Sequence, residues 1–270
     1  MLTYKPQKPV RAVFLTSIRD VGICDLNGRM VSTKEGRRYM EGLIERTVRE
    51  CGPGGGLHGL LELAGVIYDD TPKDLAGSDY PLVPGEGLPW IFPLDMKDHH
   101  GHSVVSMTTH LPSIFRLLPL DDAEGRRVVK HAFETSILEL MHAARADILI
   151  SDHYMARIEF LINGLGLNGR VLNMHPAVTK KNHPFCFRGP HPTADAIAMA
   201  KSGTKTVTGA TLHIVNEVID DGPIILCEAV TPVHADDVPA ELRWRNYQKA
   251  KFPVFVRGMQ KYLAETFVHS

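Results

Sequence analysis

Through residues 11–205, short and nearly unbroken apolar runs alternate with stretches of helical periodicity. No other feature restricts the fold of this chain so strongly. Strands are expected at Arg11–Ser17, Leu61–Tyr68, Asp147–Ser151 and Arg170–Met174. Helices are expected at Glu35–Cys51, Asp122–Ala146, Arg157–Leu165 and Pro192–Ser202. A strand apolar on both sides must be covered on both faces. The pattern therefore implies an α/β fold with a doubly wound, mostly parallel sheet flanked by helices. Two later strands, Thr206–Val215 and Gly222–Val230, are joined by the short NEVIDDG connection and suggest antiparallel or crossover-like pairing. The tail, Pro239–Phe267, reads as one long amphipathic helix kinked at Pro253. Residues 71–95 are rich in Pro and Gly and read as a long ordered loop, within an insertion spanning 71–110. Ligands of such sheets bind beyond the carboxyl ends of the strands, so the loops after Ser17, Ser151 and Met174 mark the expected active edge.

Charge and composition remove several function classes. The 270 residues carry 30 Lys+Arg against 31 Asp+Glu, and a net charge of −1 does not suit nucleic acid as the main partner. No stretch approaches the roughly 18 apolar residues of a membrane span. The apolar run Ala12–Leu15 is too short for a signal-peptide core, so a cytoplasmic protein with no membrane partner is expected. Cys24, Cys51, Cys186 and Cys227 are scattered and read as reduced thiols. Gly164, Gly166 and Gly169 formally spell a dinucleotide fingerprint, but they follow a helical segment and precede a strand, the reverse of its context. They read as a helix cap and loop. His99, His100, His102 and His110 lie near Asp95 and Asp98 at spacings that fit no familiar zinc pattern, so no metal is expected.

The stretch RVLNMHP carries the most chemistry. Asn173 and His175 stand two apart on a strand and share a side of it, and Pro176 ends the strand at once. An amide and an imidazole presented together suit acyl transfer, in which a carbonyl becomes a tetrahedral oxyanion. The same residues also read as a satisfied Asn and a packing His at a strand end. In TLHIVNEVIDDGPII, Thr211 and His213 share a strand face, and a turn places Asp220 just before Gly222 and Pro223. A carboxylate there orients an imidazole or holds a water, or simply belongs to an Asp-Asp-Gly turn.

Together, ADILISDHYMARI, VLNMHPAV, the Arg188–His191 turn with TADAIAMAKSG, and VTGATLHIVNEVIDDGPII resemble the formyltransferase family whose best-known member is glycinamide ribonucleotide transformylase. The resemblance covers about Ala146 to Phe267. It implies catalysis by Asn173, His175 and Asp220, with N10-formyltetrahydrofolate as the formyl donor. It implies folate contacts from Tyr154, Met155, Arg157 and Ile158, and from Val215, Asn216, Glu217 and Ile219. His191 and His213 match secondary histidines near the family's active centre. A single domain over 1–270 follows, with an acceptor-binding half at 1–145 and a catalytic and folate-binding half at 146–270.

The first half departs from the nucleotide-using members. In place of a Gly-Asn-Gly-Ser-type phosphate loop after the first strand it has SIRDVGICDLNGRMVSTKEG. Arg19, Asp20 and Asp25 give this loop both signs of charge, which suits a zwitterionic, amino-acid-like acceptor; a solvated surface loop is the plainer reading. This loop, the 71–95 insertion and the total length look like the hydroxyornithine transformylases of siderophore (pyoverdine) synthesis. The expected acceptor is N5-hydroxyornithine, whose hydroxylamine nitrogen is mostly neutral near pH 7 and ready to attack. Folate and this small molecule are the expected partners, and a monomer is the expected assembly. The alternatives are another amine acceptor (glycinamide ribonucleotide or an amino sugar), a formyltetrahydrofolate hydrolase, and a non-enzymatic folate-binding protein.

Overall fold

The computed structural model describes residues 8–17, 30–33, 36–39, 41–75, 93, 95–154 and 156–267. In chain order the elements are β1 (Val10–Thr16), β2 (Met30–Thr33), β3 (Gly36–Tyr39), α1 (Leu43–Cys51), β4 (Leu61–Tyr68), α2 (Pro72–Leu75), β5 (Thr108–His110) and α3 (Ala123–Ala143). They continue with β6 (Ile148–Asp152), α4 (Phe160–Asn163), β7 (Val171–His175), α5 (Pro192–Lys201), β8 (Thr206–Ile214), β9 (Ile224–Val233), α6 (Pro239–Asn246) and α7 (Phe252–Thr266).

Seven strands form one sheet in the order β5-β4-β1-β6-β7-β8-β9. The pairs from β5 through β7 are parallel, and β8 and β9 are added antiparallel, as the short connection between them requires. Beyond β1 the chain builds outward to β4 and β5, then returns to place β6 on the other side of β1. The strand order reverses between β1 and β6, and such a reversal opens a crevice at the carboxyl ends.

Side-chain alternation divides the core in two. Val10, Ala12 and Phe14 of β1 pack towards Leu43 and Ile44 of α1 and Phe255 and Met259 of α7. Val13 and Leu15 of the same strand pack towards Phe133, Ile137 and Met141 of α3 and Leu161 of α4. Both faces of β1 are therefore buried, which is why it reads as a continuous apolar run.

Three expectations need correction. The helix expected from Glu35 begins only at Leu43, because residues 36–39 pair antiparallel with 30–33 as a separate hairpin. The helix expected at Arg157–Leu165 is a single turn, Phe160–Asn163, closed by Gly164 at its carboxyl end. The tail is α6 and α7 joined by a π-helical turn at Tyr247–Lys251. Pro253, which has no N–H to give to a preceding carbonyl, stands directly after this π-helical turn, and the backbone stays helical through it. Of the 71–95 segment, 76–92 and 94 lie outside the described residues, and α2 falls within its described part. Among the described residues no helix is long and apolar enough to cross a membrane.

Candidate active site

Strand β7 carries Asn173 and His175 to the active edge, and antiparallel pairing with β8 sets His213 opposite Asn173 and Thr211 opposite His175. The β8–β9 connection, residues 215–223, starts against the opposite end of β7, where the Val215 N–H donates to the Val171 carbonyl. It then folds back so that Asp220 meets His175, with Asp220 Oδ1 3.3 Å from His175 Nδ1. This return demands unusual backbone. Asp220 has φ of +54°, which a non-glycine residue rarely adopts. Gly222 lies so close to β8 that a Cβ there would sit 1.7 Å from the Ile214 carbonyl oxygen.

The four polar side chains form one network. The Nε2–H of His175 donates to the Phe187 carbonyl at 3.0 Å, and its Nδ1 faces Asp220. Each ring nitrogen thus faces an oxygen acceptor. Nδ1 of His213 donates to the Ile214 carbonyl at 3.0 Å, which leaves Nε2 to accept from Asn173 Nδ2 at 3.1 Å. Asn173 Nδ2 also reaches Asp220 Oδ1 at 3.4 Å, a long contact that a ligand oxygen can replace. The second carboxylate oxygen of Asp220 accepts from the Gly189 N–H at 2.8 Å. Burial by itself would raise the carboxyl of Asp220. The imidazole of His175 and the Gly189 N–H outweigh it and hold the group well below the usual carboxylate range. Asp220 is therefore a fixed anion at neutral pH and a weak proton store.

A cleft of about 300 Å³ opens beside this network, at the small end of ligand pockets. Its walls include Asn173, His175, His213 and Asp220, together with Tyr154, Arg157 and Ile158 after β6 and Val215, Asn216 and Ile219 after β8. Val218 and Ile219 are about half exposed there, an apolar lip suited to a flat heteroaromatic ligand. Two expected contacts fall elsewhere. Glu217 turns outward to accept from Asn163 Nδ2 at 2.9 Å and does not line the cleft. His191 is exposed at the amino end of α5; its neighbours Pro190 and Pro192 line the cleft instead. Met155, Arg19, Asp20 and Asp25 lie outside the described residues.

Sequence reasoning missed Ser151, His153, Gly189 and Pro190 of this wall. The only sequence signal for Gly189 was its place in an Arg-Gly-Pro turn. The exposed His99, His100 and His102 lie together, with His102 Nδ1 3.1 Å from Asp98. Among the described residues no group of three His, Cys, Asp or Glu side chains is arranged to hold a metal ion.

Comparison with known proteins bears on this geometry. Residues 118–257 match the formyl transferase family. The chain is 34% identical over 110 residues to a phosphoribosylglycinamide formyltransferase of Mycobacterium tuberculosis, covering 40% of this chain and 46% of that one. It is 32% identical over 155 residues to a trifunctional purine biosynthetic protein adenosine-3 of Bos taurus, covering 52% of this chain and 14% of that one. The chain therefore spans less than half the length of these two relatives. Among solved structures, PvdF of pyoverdin biosynthesis, described as a structurally unique N10-formyltetrahydrofolate-dependent formyltransferase, superposes with a TM-score of 0.81 at 27% identity over 94% of this chain and 98% of that one. A formyltetrahydrofolate deformylase from Pseudomonas syringae pv. tomato superposes with a TM-score of 0.55 at 19% identity over 96% of this chain and 63% of that one, and shares the fold. The family match spans more than half of the sequence and takes in β6, β7, β8 and the whole polar network: this chain belongs to the formyl transferase family, whose members are formyl-transferring enzymes.

Proposed function

We propose that this protein transfers a formyl group from N10-formyltetrahydrofolate to the side-chain hydroxylamine nitrogen of N5-hydroxyornithine, giving N5-formyl-N5-hydroxyornithine for siderophore synthesis of the pyoverdine type. The observation that carries the transfer is the meeting of Asn173, His175 and Asp220 on one wall of an open cleft. The acceptor is supported by the likeness to PvdF, whose TM-score of 0.81 stands well above the 0.53 of a phosphoribosylglycinamide formyltransferase from Streptococcus pneumoniae.

The folate ring system packs between the loop after β6 and the loop after β8, against Tyr154, Arg157 and Ile158 on one side and Val215, Asn216 and Ile219 on the other. That places N10 and its formyl group beside Asn173. The acceptor nitrogen attacks the formyl carbon, and the carbonyl electron pair moves onto oxygen. The oxyanion takes the Asn173 Nδ2–H that now makes the long contact to Asp220, with the imidazole of His175 beside it. The proton leaving the acceptor nitrogen passes through a water held by Asp220 to folate N10 as the oxyanion's electron pair re-forms the carbonyl and the carbon–N10 bond breaks. Because the hydroxylamine is neutral at working pH, the enzyme supplies position and electrostatics more than basicity. Residues 1–145 form the acceptor side in this reading, and reduced folate as donor makes the reaction a cytoplasmic one.

Glycinamide ribonucleotide is the second acceptor to weigh, favoured by the 34% identity to the Mycobacterium tuberculosis relative. An assay of formyl transfer with N5-hydroxyornithine, ornithine and glycinamide ribonucleotide separates the two. Turnover of hydroxyornithine well above the others is expected; equal or better turnover of the ribonucleotide would remove the hydroxyornithine assignment. His175→Ala should lower turnover at least about a hundredfold, the usual scale for a positioned acid–base group. Full activity in that variant would defeat the catalytic reading.

A further inference from the structure

Ser151 is a polar residue in an apolar place. It stands on β6 two residues after Leu149, which shares its face of the sheet and packs with Val13 and Leu15 of β1 and Val171 of β7. Ser151 is 3% exposed, yet it forms part of the cleft wall. Among the described residues its hydroxyl has no hydrogen-bond partner. A buried hydroxyl left unpaired costs free energy, and an alanine would fill the same place without that cost. Parallel pairing sets Ser151 beside Leu15 of β1 on one side and Asn173 of β7 on the other. Adjacent strands run about 4.8 Å apart, so Ser151 stands one strand spacing from Asn173. The polar groups around it are already committed. Asn173 Nδ2 reaches His213 and Asp220, and the two ring nitrogens of His175 face the Phe187 carbonyl and Asp220.

We infer that Ser151 recognises the hydroxyl of the acceptor: the O–H of the hydroxylamine donates to Ser151 Oγ. The inference rests on the proposed hydroxylamine acceptor and deepens it. β6 lies between β7, which carries Asn173, and β1, the first strand of the acceptor half. A molecule that enters from that half and brings its nitrogen to the formyl carbon passes over Ser151. Its hydroxyl is the group that distinguishes a hydroxylamine from an alkylamine. A hydroxylamine also has two nucleophilic atoms. With the hydroxyl turned to β6, the nitrogen lone pair is left to face the formyl carbon, so the bond that selects the acceptor also selects the atom that attacks. A site that meets a substrate hydroxyl in this way leaves its own polar group unpaired when an analogue lacks that hydroxyl, and it rejects the analogue for that reason.

The test is equilibrium binding of N5-hydroxyornithine and of its O-methyl ether to the full chain saturated with 5-formyltetrahydrofolate, a donor analogue that does not transfer its formyl group. The ether keeps the nitrogen and the oxygen but has no O–H to give. The unaltered protein should bind the hydroxylamine about tenfold tighter than the ether, the scale of one hydrogen bond. In Ser151→Ala the affinity for the hydroxylamine should fall about tenfold, and the two ligands should bind alike. Affinity for 5-formyltetrahydrofolate and the thermal midpoint should stay those of the unaltered protein, because the change removes one oxygen atom that the fold does not use. Equal binding of the two ligands to the unaltered protein, or a preference that survives in Ser151→Ala, overturns the inference, while formyl transfer to N5-hydroxyornithine by the unaltered protein keeps the proposed reaction in place. An unaltered protein that neither binds nor formylates N5-hydroxyornithine overturns both.

Discussion

Asp220 concentrates three physical demands in one residue: a left-handed backbone, a buried carboxylate and contacts to His175, Asn173 and Gly189. A left-handed non-glycine residue costs on the order of 1–3 kcal/mol and persists only where its surroundings over-determine it. Replacing the carboxylate tests what holds it. Asp220→Asn keeps the size and removes the charge, so the protein should lose about 1–3 kcal/mol of stability at pH 7, the scale for a hydrogen-bonded charged group. The folded-state carboxyl titrates below its unfolded value near 3.9, so its contribution is fully present above about pH 4 and fades as pH falls through the folded value. Urea unfolding at pH 7 and at pH 3 checks this: the gap between variant and unaltered protein should be full at pH 7 and smaller at pH 3. A gap that widens in acid would mean the carboxylate is not held as an anion. Formyl transfer should fall at the same time, because the Gly189 turn and the His175 imidazole lose their common partner. Asn173 and His175 were legible from their spacing on one strand. Their contact with Asp220 was not, because no periodicity reports a loop that doubles back over a sheet.

Among the elements, the β8–β9 connection has the least freedom to vary. Gly222 brings it to within a Cβ's clash of the Ile214 carbonyl, a backbone atom that cannot rotate away. Gly222→Ala should therefore lift the turn off β8 and carry Asp220 away from His175. At least about 1–3 kcal/mol of destabilisation is expected, the usual scale for overpacking, and Tm should fall by several degrees. Activity should drop much further than stability, and retention of full activity would show that the turn does not place Asp220. Other elements were read from sequence with very different success. β4 was found at both ends, since LELAGVIY is an apolar run bounded by punctuation. The β2–β3 hairpin was missed because GRRY and MVST lack a strand's apolar alternation and run straight into the true helix, so a helical start at Glu35 looked continuous. The tail is helical from Pro239 to Thr266, and its irregularity lies just ahead of Pro253. Pro253 drew the eye, but the ladder is already loosened at Tyr247–Lys251, one turn ahead of it. A π-helical turn leaves no composition signal of its own.

That same turn ties the molecule together across its layers. Lys251 is wholly buried, and its Nζ lies 2.6 Å from Asp152 Oδ1 at the carboxyl end of β6, with the Tyr247 ring centroid 4.2 Å away. The Tyr247 hydroxyl lies 2.7 Å from Nε2 of His153, the cleft residue that follows Asp152. Helical tail, central strand and cleft wall thus share one charged joint. Burial alone would lower the ammonium's pKa, but Asp152 and Tyr247 reverse the effect and raise it above the ordinary lysine value. A pKa raised on folding stabilises the protein fully below the unfolded value, near 10.4, and the contribution is lost as pH climbs through the folded value. Lys251→Met takes the ammonium away from a buried carboxylate and should cost about 3–5 kcal/mol at pH 7. Pairing it with Asp152→Leu should recover much of that loss, because an apolar pair of similar volume often equals a buried ion pair. Denaturant midpoints for the unaltered protein, the single and the double variant at pH 7 and pH 11 decide the matter. The deficit of the single variant should be complete at pH 7 and reduced at pH 11, and a double variant no more stable than the single one would mean that Lys251 holds the joint through contacts other than Asp152.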